Sequence, residues 1–169
     1  MKTLPAIVVT AAMVLTALLN VCVAVASSDG QKSFDQLKGL VGSWEGKDAN
    51  GNPVEVDYCT TSMGSALMSE IKGMEKDNMI TMFNLDGQRL LVSHYCATGN
   101  QPRMLASMSP DGKTISFEFL DATNLASPAA GHMQHVMIFM RDANHHAEQR
   151  LFLDHDKVIK ADFDLWRRK

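Results

Sequence analysis

The amino-acid sequence predicts an all-β protein, an antiparallel up-and-down β-barrel of about eight to ten strands with one short N-terminal helix. Short segments with alternating or β-branched apolar residues follow one another from residue 43 almost to the C-terminus. Turn signals separate most of these segments, and helical periodicity is confined to one stretch before them. A meander this long without a covering helical layer protects its edge strands best by closing on itself.

The N-terminal 26 residues have the pattern of an export signal. Met1-Lys2 precedes a run over residues 7–26 that carries no charge, and Ala24-Val25-Ala26 places small residues where a signal peptidase cleaves. We therefore expect a signal peptide over residues 1–26 and a periplasmic or extracellular domain over residues 27–169, without stable membrane insertion after cleavage. The alternatives are an uncleaved membrane anchor and lipidation at Cys22, which Val21 disfavours because a lipoprotein signal has a small residue there.

Length, charge and cysteine content limit the function classes. The chain has 169 residues and a formal net charge of −3, which fits one domain and gives no electrostatic basis for binding nucleic acid. Cys59 and Cys96 follow the predicted signal. They form either a disulfide or two separate thiols, because spacing alone does not show that their Cβ atoms meet.

The predicted helix covers residues 31–41, where Phe34, Leu37, Leu40 and Val41 recur at spacings of three and four. Ser33 is a candidate N-cap for this helix. Ten predicted strands follow it, and several contain clear period-two alternation. They cover residues 43–47, 54–61, 66–72, 78–85, 88–96, 103–109, 114–120, 132–141, 145–153 and 157–166.

Tight turns between these segments favour antiparallel neighbours. Asn50-Gly51 and Asp86-Gly87 are strong hairpin signals, because both residue pairs tolerate the positive φ of two-residue hairpin loops. Pro110-Asp111-Gly112-Lys113 marks a third turn. A longer loop is predicted over residues 121–131. No repeat or linker indicates a second domain.

Gly42-Ser43-Trp44, at the start of the first strand, resembles the G-x-W motif of the lipocalin-like (calycin) barrels. The resemblance implies a barrel with an interior cavity and relatives that bind ligands. It also implies that Trp44 closes one end of the barrel as a structural plug. A basic residue of the last strand, Arg167 or Arg168, would pack against it.

Gly42 to Gly46 also resembles the opening of nitrobindin and fatty-acid-binding-type ten-stranded barrels. Nitrobindins bind haem through a histidine, so the resemblance raises haem as a cofactor. His145 and His146 lie in the next-to-last predicted strand, but they adjoin a turn at residues 142–144, where we expect both to be exposed. We accordingly expect no cofactor, with haem or a metal as the alternative.

The richest cluster of chemically useful side chains lies between Leu90 and Met104. His94 and Cys96 share a face of a strand, and a turn with polar side chains follows them. Arg103 would hold a carboxylate or phosphate head group, or it is simply an exposed turn residue. The predicted ligand-binding residues are His94, Cys96, Asn100, Gln101, Arg103, Phe117, Phe119 and His132.

A second interpretation makes the protein a metalloprotein or an enzyme that uses His94, Cys96 and His132. Imidazole and thiolate are the ligands that zinc and related metals prefer. Catalysis is the less favoured interpretation, because no oxyanion-hole loop or orienting carboxylate accompanies the cysteine in the sequence.

The chain contains 12 methionines, an unusual number for its length. Flexible thioethers suit an adaptable apolar cavity, or they fill the core. A copper(I) site would need methionines closer together than the sequence places them.

We therefore expect an exported protein that holds a small, partly apolar ligand inside the barrel without catalysis. Its cavity walls would include Ile115, Phe117 and Phe119, and its mouth would run from His94 to Arg103. A barrel whose middle is filled would argue against this expectation.

Overall fold

The computed structural model describes residues 29–73 and 78–169, which contain one α-helix, one 3-10 turn (Ser62–Gly64) and ten antiparallel strands that close into a barrel. The predicted fold class is confirmed, whereas the predicted signal peptide lies outside the described residues. The elements are α1 (Asp29–Lys38), β1 (Gly42–Asp48), β2 (Pro53–Thr61), β3 (Ala66–Lys72), β4 (Met79–Asp86), β5 (Arg89–Tyr95), β6 (Gln101–Met108), β7 (Thr114–Thr123), β8 (His132–Asp142), β9 (His145–Asp154) and β10 (Lys157–Arg167).

Each strand pairs with the next one along the chain, and β1 closes the barrel by pairing with β10. At this seam Trp44 lies opposite Arg167 and Gly46 lies opposite Leu165. A Cβ on Gly46 would lie 1.9 Å from the carbonyl oxygen of Asp164, so only glycine allows the two strands to approach this closely.

Helix α1 covers the end of the barrel that carries the β4–β5 and β6–β7 turns, which we call the helix end. Phe34 and Leu37 are buried against the barrel, and the Gln36 side chain donates a hydrogen bond to the carbonyl of Gly112. The helix begins at Asp29, so the predicted N-cap role of Ser33 is wrong. Ser33 instead lies inside the helix and is buried, because it is one turn from Leu37 on the same face.

Trp44 and Arg167 pack together at the helix end. The Trp44 ring is buried, and its indole nitrogen donates a hydrogen bond of 2.6 Å to the carbonyl of Leu40. The Arg167 guanidinium lies 4.4 Å from the centre of that ring and donates to the carbonyls of Val41 and Gly39. The basic residue on the tryptophan is therefore Arg167, while Arg168 pairs with Glu45 and Glu55 on the surface.

The barrel interior is apolar at the helix end and partly polar in the middle. Its fully buried side chains include Leu67, Leu90, Ile115, Phe117 and Leu165, which belong to the same core cluster as Trp44. In residues 29–73 and 78–169, no helix has the length and apolar character needed to cross a membrane.

Candidate functional site

A cluster of ionisable side chains lies inside the barrel. His146, Glu148 and Arg150 alternate along β9, so all three side chains are on the same face of the strand. All three are buried: His146 is 0% exposed, Glu148 2% and Arg150 7%. Buried charged groups of this kind require partners, because an unpaired charge is costly away from water.

Glu148 is the centre of the cluster. Its Oε2 accepts hydrogen bonds from Arg150 Nε at 3.1 Å and Nη2 at 2.8 Å. Its Oε1 accepts the hydroxyl proton of Tyr58 from β2 at 2.5 Å, and His146 Nε2 lies 3.4 Å from the same oxygen. The His146 ring also meets Trp44 edge to face, with 4.3 Å between centroids, which links the cluster to the helix end.

The two acidic groups of the cluster titrate far from their ordinary ranges. Burial alone would raise the pKa of Glu148, but Arg150, His146 and Tyr58 together outweigh burial and hold this pKa below its ordinary value. Burial and the adjacent Glu148 carboxylate raise the pKa of the Tyr58 hydroxyl well above its ordinary value. Glu148 is therefore charged and Tyr58 is a hydrogen-bond donor at neutral pH.

His94 lies on β5 and faces the same interior. The side chain is 1% exposed, and its Nδ1 lies 2.9 Å from the hydroxyl of Thr81 on the neighbouring strand β4. Burial and the positive charge of Arg150 lower the pKa of His94 to about 3, although Glu148 partly opposes the shift. The imidazole is therefore neutral, and its Nε2 is buried without a hydrogen-bond partner.

The middle of the barrel is almost filled. The enclosed space beside His94, Tyr58 and Glu148, which we call the inner cavity, has a volume of about 10 Å³. That is enough for about one water molecule. Phe117 lines this cavity, while Ile115 is buried in the core. Of the predicted cavity walls Ile115, Phe117 and Phe119, only Phe117 therefore borders this space, and the space is far smaller than the predicted ligand cavity.

A larger pocket lies at the other end of the barrel, which we call the pocket end. Its volume is about 290 Å³, and its lining is mainly apolar. His94 and Arg150 line both this pocket and the inner cavity, so they separate the two. The side chains that line the end pocket are Met79, His94, Cys96, Ala97, Thr98, Met133, Arg150, Phe152, Ile159 and Ala161.

Of the predicted ligand-binding residues, His94 and Cys96 line the end pocket. Asn100 and Gln101 instead hold the turn that follows Cys96. The buried Asn100 side chain donates a hydrogen bond of 2.7 Å to the carbonyl of Gly131, and Gln101 bonds the carbonyl of Gly99 and the hydroxyl of Thr123. These contacts join the β5–β6 turn to neighbouring loops and fix the pocket's edge.

Arg103 is exposed and forms a two-pronged ion pair with Asp121 on the neighbouring strand. The hydrogen bonds from Arg103 also lower the pKa of the Asp121 carboxyl. Arg103 is not among the residues that line the end pocket. A head-group role for Arg103 would require the guanidinium to leave Asp121.

His132 and Phe119 lie against each other, with 4.7 Å between ring centroids. Both ring nitrogens of His132 have neighbours, the carbonyl of Ala130 at 2.7 Å and the side-chain oxygen of Gln134 at 2.9 Å. The structure therefore does not bring His132 to His94 and Cys96. Across the described part of the chain, no group of three or more His, Cys, Asp or Glu side chains is arranged to hold a metal.

The structure also gives the positions of the two cysteines and of the adjacent histidines that the sequence singled out. Cys59 is exposed and Cys96 partly buried, and both are free thiols. His145 is partly exposed and stacks on Trp166. The expectation that His146 is exposed is wrong, because β9 begins at His145 and turns the next side chain into the barrel.

Sequence analysis missed most of the pocket's apolar wall. Met79 opens β4, Met133 lies near the start of β8, and Phe152, Ile159 and Ala161 belong to the β9–β10 hairpin. These positions are separated along the chain and meet only because the pocket ends of four strands converge. The available signal was that Met79, Met133, Phe152 and Ile159 lie one or two residues from predicted strand ends on one side of the barrel, whereas Ala161 lies deeper in its strand.

The fold and this geometry define a class: small ten-stranded antiparallel barrels with a helix across one end and a pocket at the other. No protein-family model matches the chain, and no curated protein matches its sequence. A solved structure that is similar belongs to a protein of unknown function from the DUF3598 family of Nostoc punctiforme PCC 73102, with a TM-score of 0.52 and 10% identity. The match covers 79% of this chain and 49% of that one, so the chain spans about half the length of its structural neighbour. At this identity the likeness shows the fold alone.

Proposed function

We propose that the protein binds a small, partly apolar molecule in the end pocket and does so without catalysis. The observation that carries this proposal is the composition of the pocket. Six of its side chains are thioether, aromatic or aliphatic groups that line an opening of about 290 Å³, and its inner wall is formed by His94 and Arg150. Small-molecule sites combine mainly apolar walls with a few convergent polar groups in this way.

The size of the pocket limits the ligand to a compact molecule. Ligand pockets usually measure about 300–1,000 Å³, so the end pocket is at the lower limit of that range. The inner cavity of about 10 Å³ cannot accept a ligand that extends past His94. We therefore propose that the ligand binds at the pocket end and not in the middle of the barrel. A long acyl chain buried along the barrel axis would not fit this site.

The charges at the inner wall favour a neutral polar group on the ligand. The Arg150 guanidinium is already paired with Glu148, and His94 is uncharged. His94 Nε2 is buried without a partner, so a ligand hydroxyl, carbonyl or amide beside it would supply the missing hydrogen bond. Satisfying a buried polar atom of this kind is worth about 1–3 kcal/mol.

The proposal is tested by native mass spectrometry of the purified protein, followed by release and identification of retained compounds. The matched variant is Ala97→Phe, which adds a ring at an exposed turn position on the pocket wall. Its control is Ala49→Phe, at an exposed turn position outside the barrel interior. We expect the first variant to lose the retained compound and the second to keep it; equal retention by both would contradict the proposed site.

Export is part of the same proposal, since residues 1–26 predict a signal peptide. A protein that meets its ligand outside the cytoplasm should start at Ser27 when it is recovered from the periplasm or medium. N-terminal sequencing of that material tests this. Recovery of the uncleaved chain in the membrane fraction would contradict it.

A further inference from the structure

The end pocket brings together three kinds of metal-binding donor that the sequence keeps apart: one thiol, one imidazole and two thioethers. His94 is on β5, Cys96 follows the end of that strand, Met79 is the first residue of β4, and Met133 is on β8. Thr81 pairs with His94 and Ile80 pairs with Tyr95, so Met79 and Cys96 each lie one residue beyond the last pair of this ladder.

His94 is prepared to act as a ligand. Its Nδ1 is held by the hydroxyl of Thr81, while Nε2 is buried and has no partner. Metal-binding histidines commonly use one ring nitrogen for the metal and are oriented by a hydrogen bond at the other.

The donor types and the local charge select the metal. Thiolate and imidazole bind zinc as well as copper(I), but thioether sulfur is a soft ligand that favours copper(I). The guanidinium of Arg150 lines the same pocket, and its positive charge disfavours a divalent cation more than a monovalent one. A monovalent ion with the Cys96 thiolate forms a neutral pair, which is compatible with the neutral Arg150–Glu148 pair beneath it.

We propose that the Cys96 thiolate, the His94 imidazole and the pocket's two methionine thioethers form a binding site for a soft monovalent metal ion, copper(I). The Cys96 thiol releases its proton to solvent as the copper–sulfur bond forms, and no electron transfer is involved. This set differs from His94, Cys96 and His132, because His132 faces its own hydrogen-bond partners. The proposed organic ligand would also contact His94 Nε2, so it and the metal would compete for this one atom.

The test is titration of the purified protein with copper(I) under ascorbate, in competition with bicinchoninic acid. We expect one copper(I) per chain, with sulfur and nitrogen neighbours by X-ray absorption. Met79→Leu with Met133→Leu removes both sulfur atoms but preserves the volume and apolar character of the pocket. Affinity for copper(I) should fall at least tenfold in this variant, while retention of an apolar compound by native mass spectrometry should be unchanged.

Two further variants and one control test the cysteine and histidine donors. Cys96→Ser should abolish stoichiometric binding, whereas Cys59→Ser, which changes the free exposed cysteine on the outside of β2, should bind like the wild type. Thr81→Val keeps all four donors but removes the partner of His94 Nδ1, and loss of such a partner typically costs about 10–100-fold in affinity. Wild-type affinity in both Cys96→Ser and the double methionine variant would overturn the proposal, as would stoichiometric binding of zinc in preference to copper(I).

Discussion

The hydroxyl of Tyr58 on β2 and the carboxylate of Glu148 on β9 lie 2.5 Å apart across the barrel interior. Their strands are not neighbours, since β1 and β10 lie between them. This hydrogen bond therefore connects two parts of the wall that the backbone ladder joins only indirectly. It also helps to keep a buried charge solvated by protein groups.

Tyr58→Phe should destabilise the protein by about 1–3 kcal/mol, because it removes a donor to a buried carboxylate without changing much volume. Urea unfolding monitored by circular dichroism measures this loss. The control is Tyr95→Phe, which changes an exposed tyrosine on β5 and should leave the free energy of unfolding within about 0.5 kcal/mol of the wild type.

The Glu148–Arg150 pair predicts strongly non-additive mutations. Glu148→Gln leaves the Arg150 guanidinium buried without a countercharge, and breaking a buried pair in this way costs about 3–5 kcal/mol. The double variant Glu148→Gln with Arg150→Met removes both charges and should recover most of that loss. A double-mutant cycle on the free energy of unfolding tests this, and simple additivity of the two single variants would contradict it.

The buried His94 predicts that stability decreases as the pH falls. The unfolded chain binds a proton at this residue near pH 6.5, whereas the folded pKa is about 3. The contribution of His94 is therefore complete above pH 6.5 and is lost as the pH falls toward 3, with a limiting slope of about 1.4 kcal/mol per pH unit. Glu148, whose pKa is also lowered on folding, adds a further loss below about pH 4.5.

Unfolding free energies between pH 7 and pH 5 isolate the histidine effect from that of the carboxylate. His94→Gln should have a shallower pH dependence than the wild type over this interval. The control is His155→Asn, which changes an exposed histidine and should keep the wild-type slope. Asparagine is chosen because it tolerates the φ of 56° at this turn position. Parallel slopes for the wild type and His94→Gln would show that folding does not lower the pKa of His94.

Arg167→Lys should destabilise the protein by about 1–3 kcal/mol. A lysine cannot reproduce the planar guanidinium that covers Trp44 and bonds the carbonyls of Gly39 and Val41. Arg168→Lys is the matched change one residue away, at an exposed pair with Glu45 and Glu55, and should cost less than about 1 kcal/mol. Urea unfolding distinguishes the two, and equal effects would mean that Arg167 contributes no more than a surface charge.

Arg103→Ala should leave binding in the end pocket unchanged. The Arg103 guanidinium pairs with Asp121 outside that pocket, and an exposed pair contributes about 0–1 kcal/mol to stability. Retention of the co-purifying compound, compared between wild type and variant, measures the effect. A clear loss of retention would assign Arg103 the head-group role that its place in the sequence suggests.

Strand positions were predictable because their signals are local. Alternation in Val54, Val56 and Tyr58 identifies β2, and Asp86-Gly87 marks the turn between β4 and β5. Each signal depends on a few neighbouring residues and on a hydrogen-bonded turn that they form themselves. The helix was also located, although its start is earlier than Ser33 suggests, since burial against the barrel outweighed the capping preference.

The polar cluster and the end pocket were not predictable in the same way. His146, Glu148 and Arg150 alternate along β9, but the opposite face holds His145 and Gln149, so polarity alone does not show which face is buried. The partner of Glu148 is Tyr58, about 90 positions earlier in the chain. Such contacts depend on the register of every strand between them, which no local signal specifies.

The β1–β10 seam affects how the chain is made as well as how it folds. Trp44 can meet Arg167 only after all ten strands have left the ribosome, so this seam is the last strand pairing of the barrel to become available during synthesis. Until then β1 and the most recently emerged strand both present free edges, which are the surfaces through which nascent chains associate with one another. A chaperone that shields β1 until β10 has emerged would therefore protect this protein from such association.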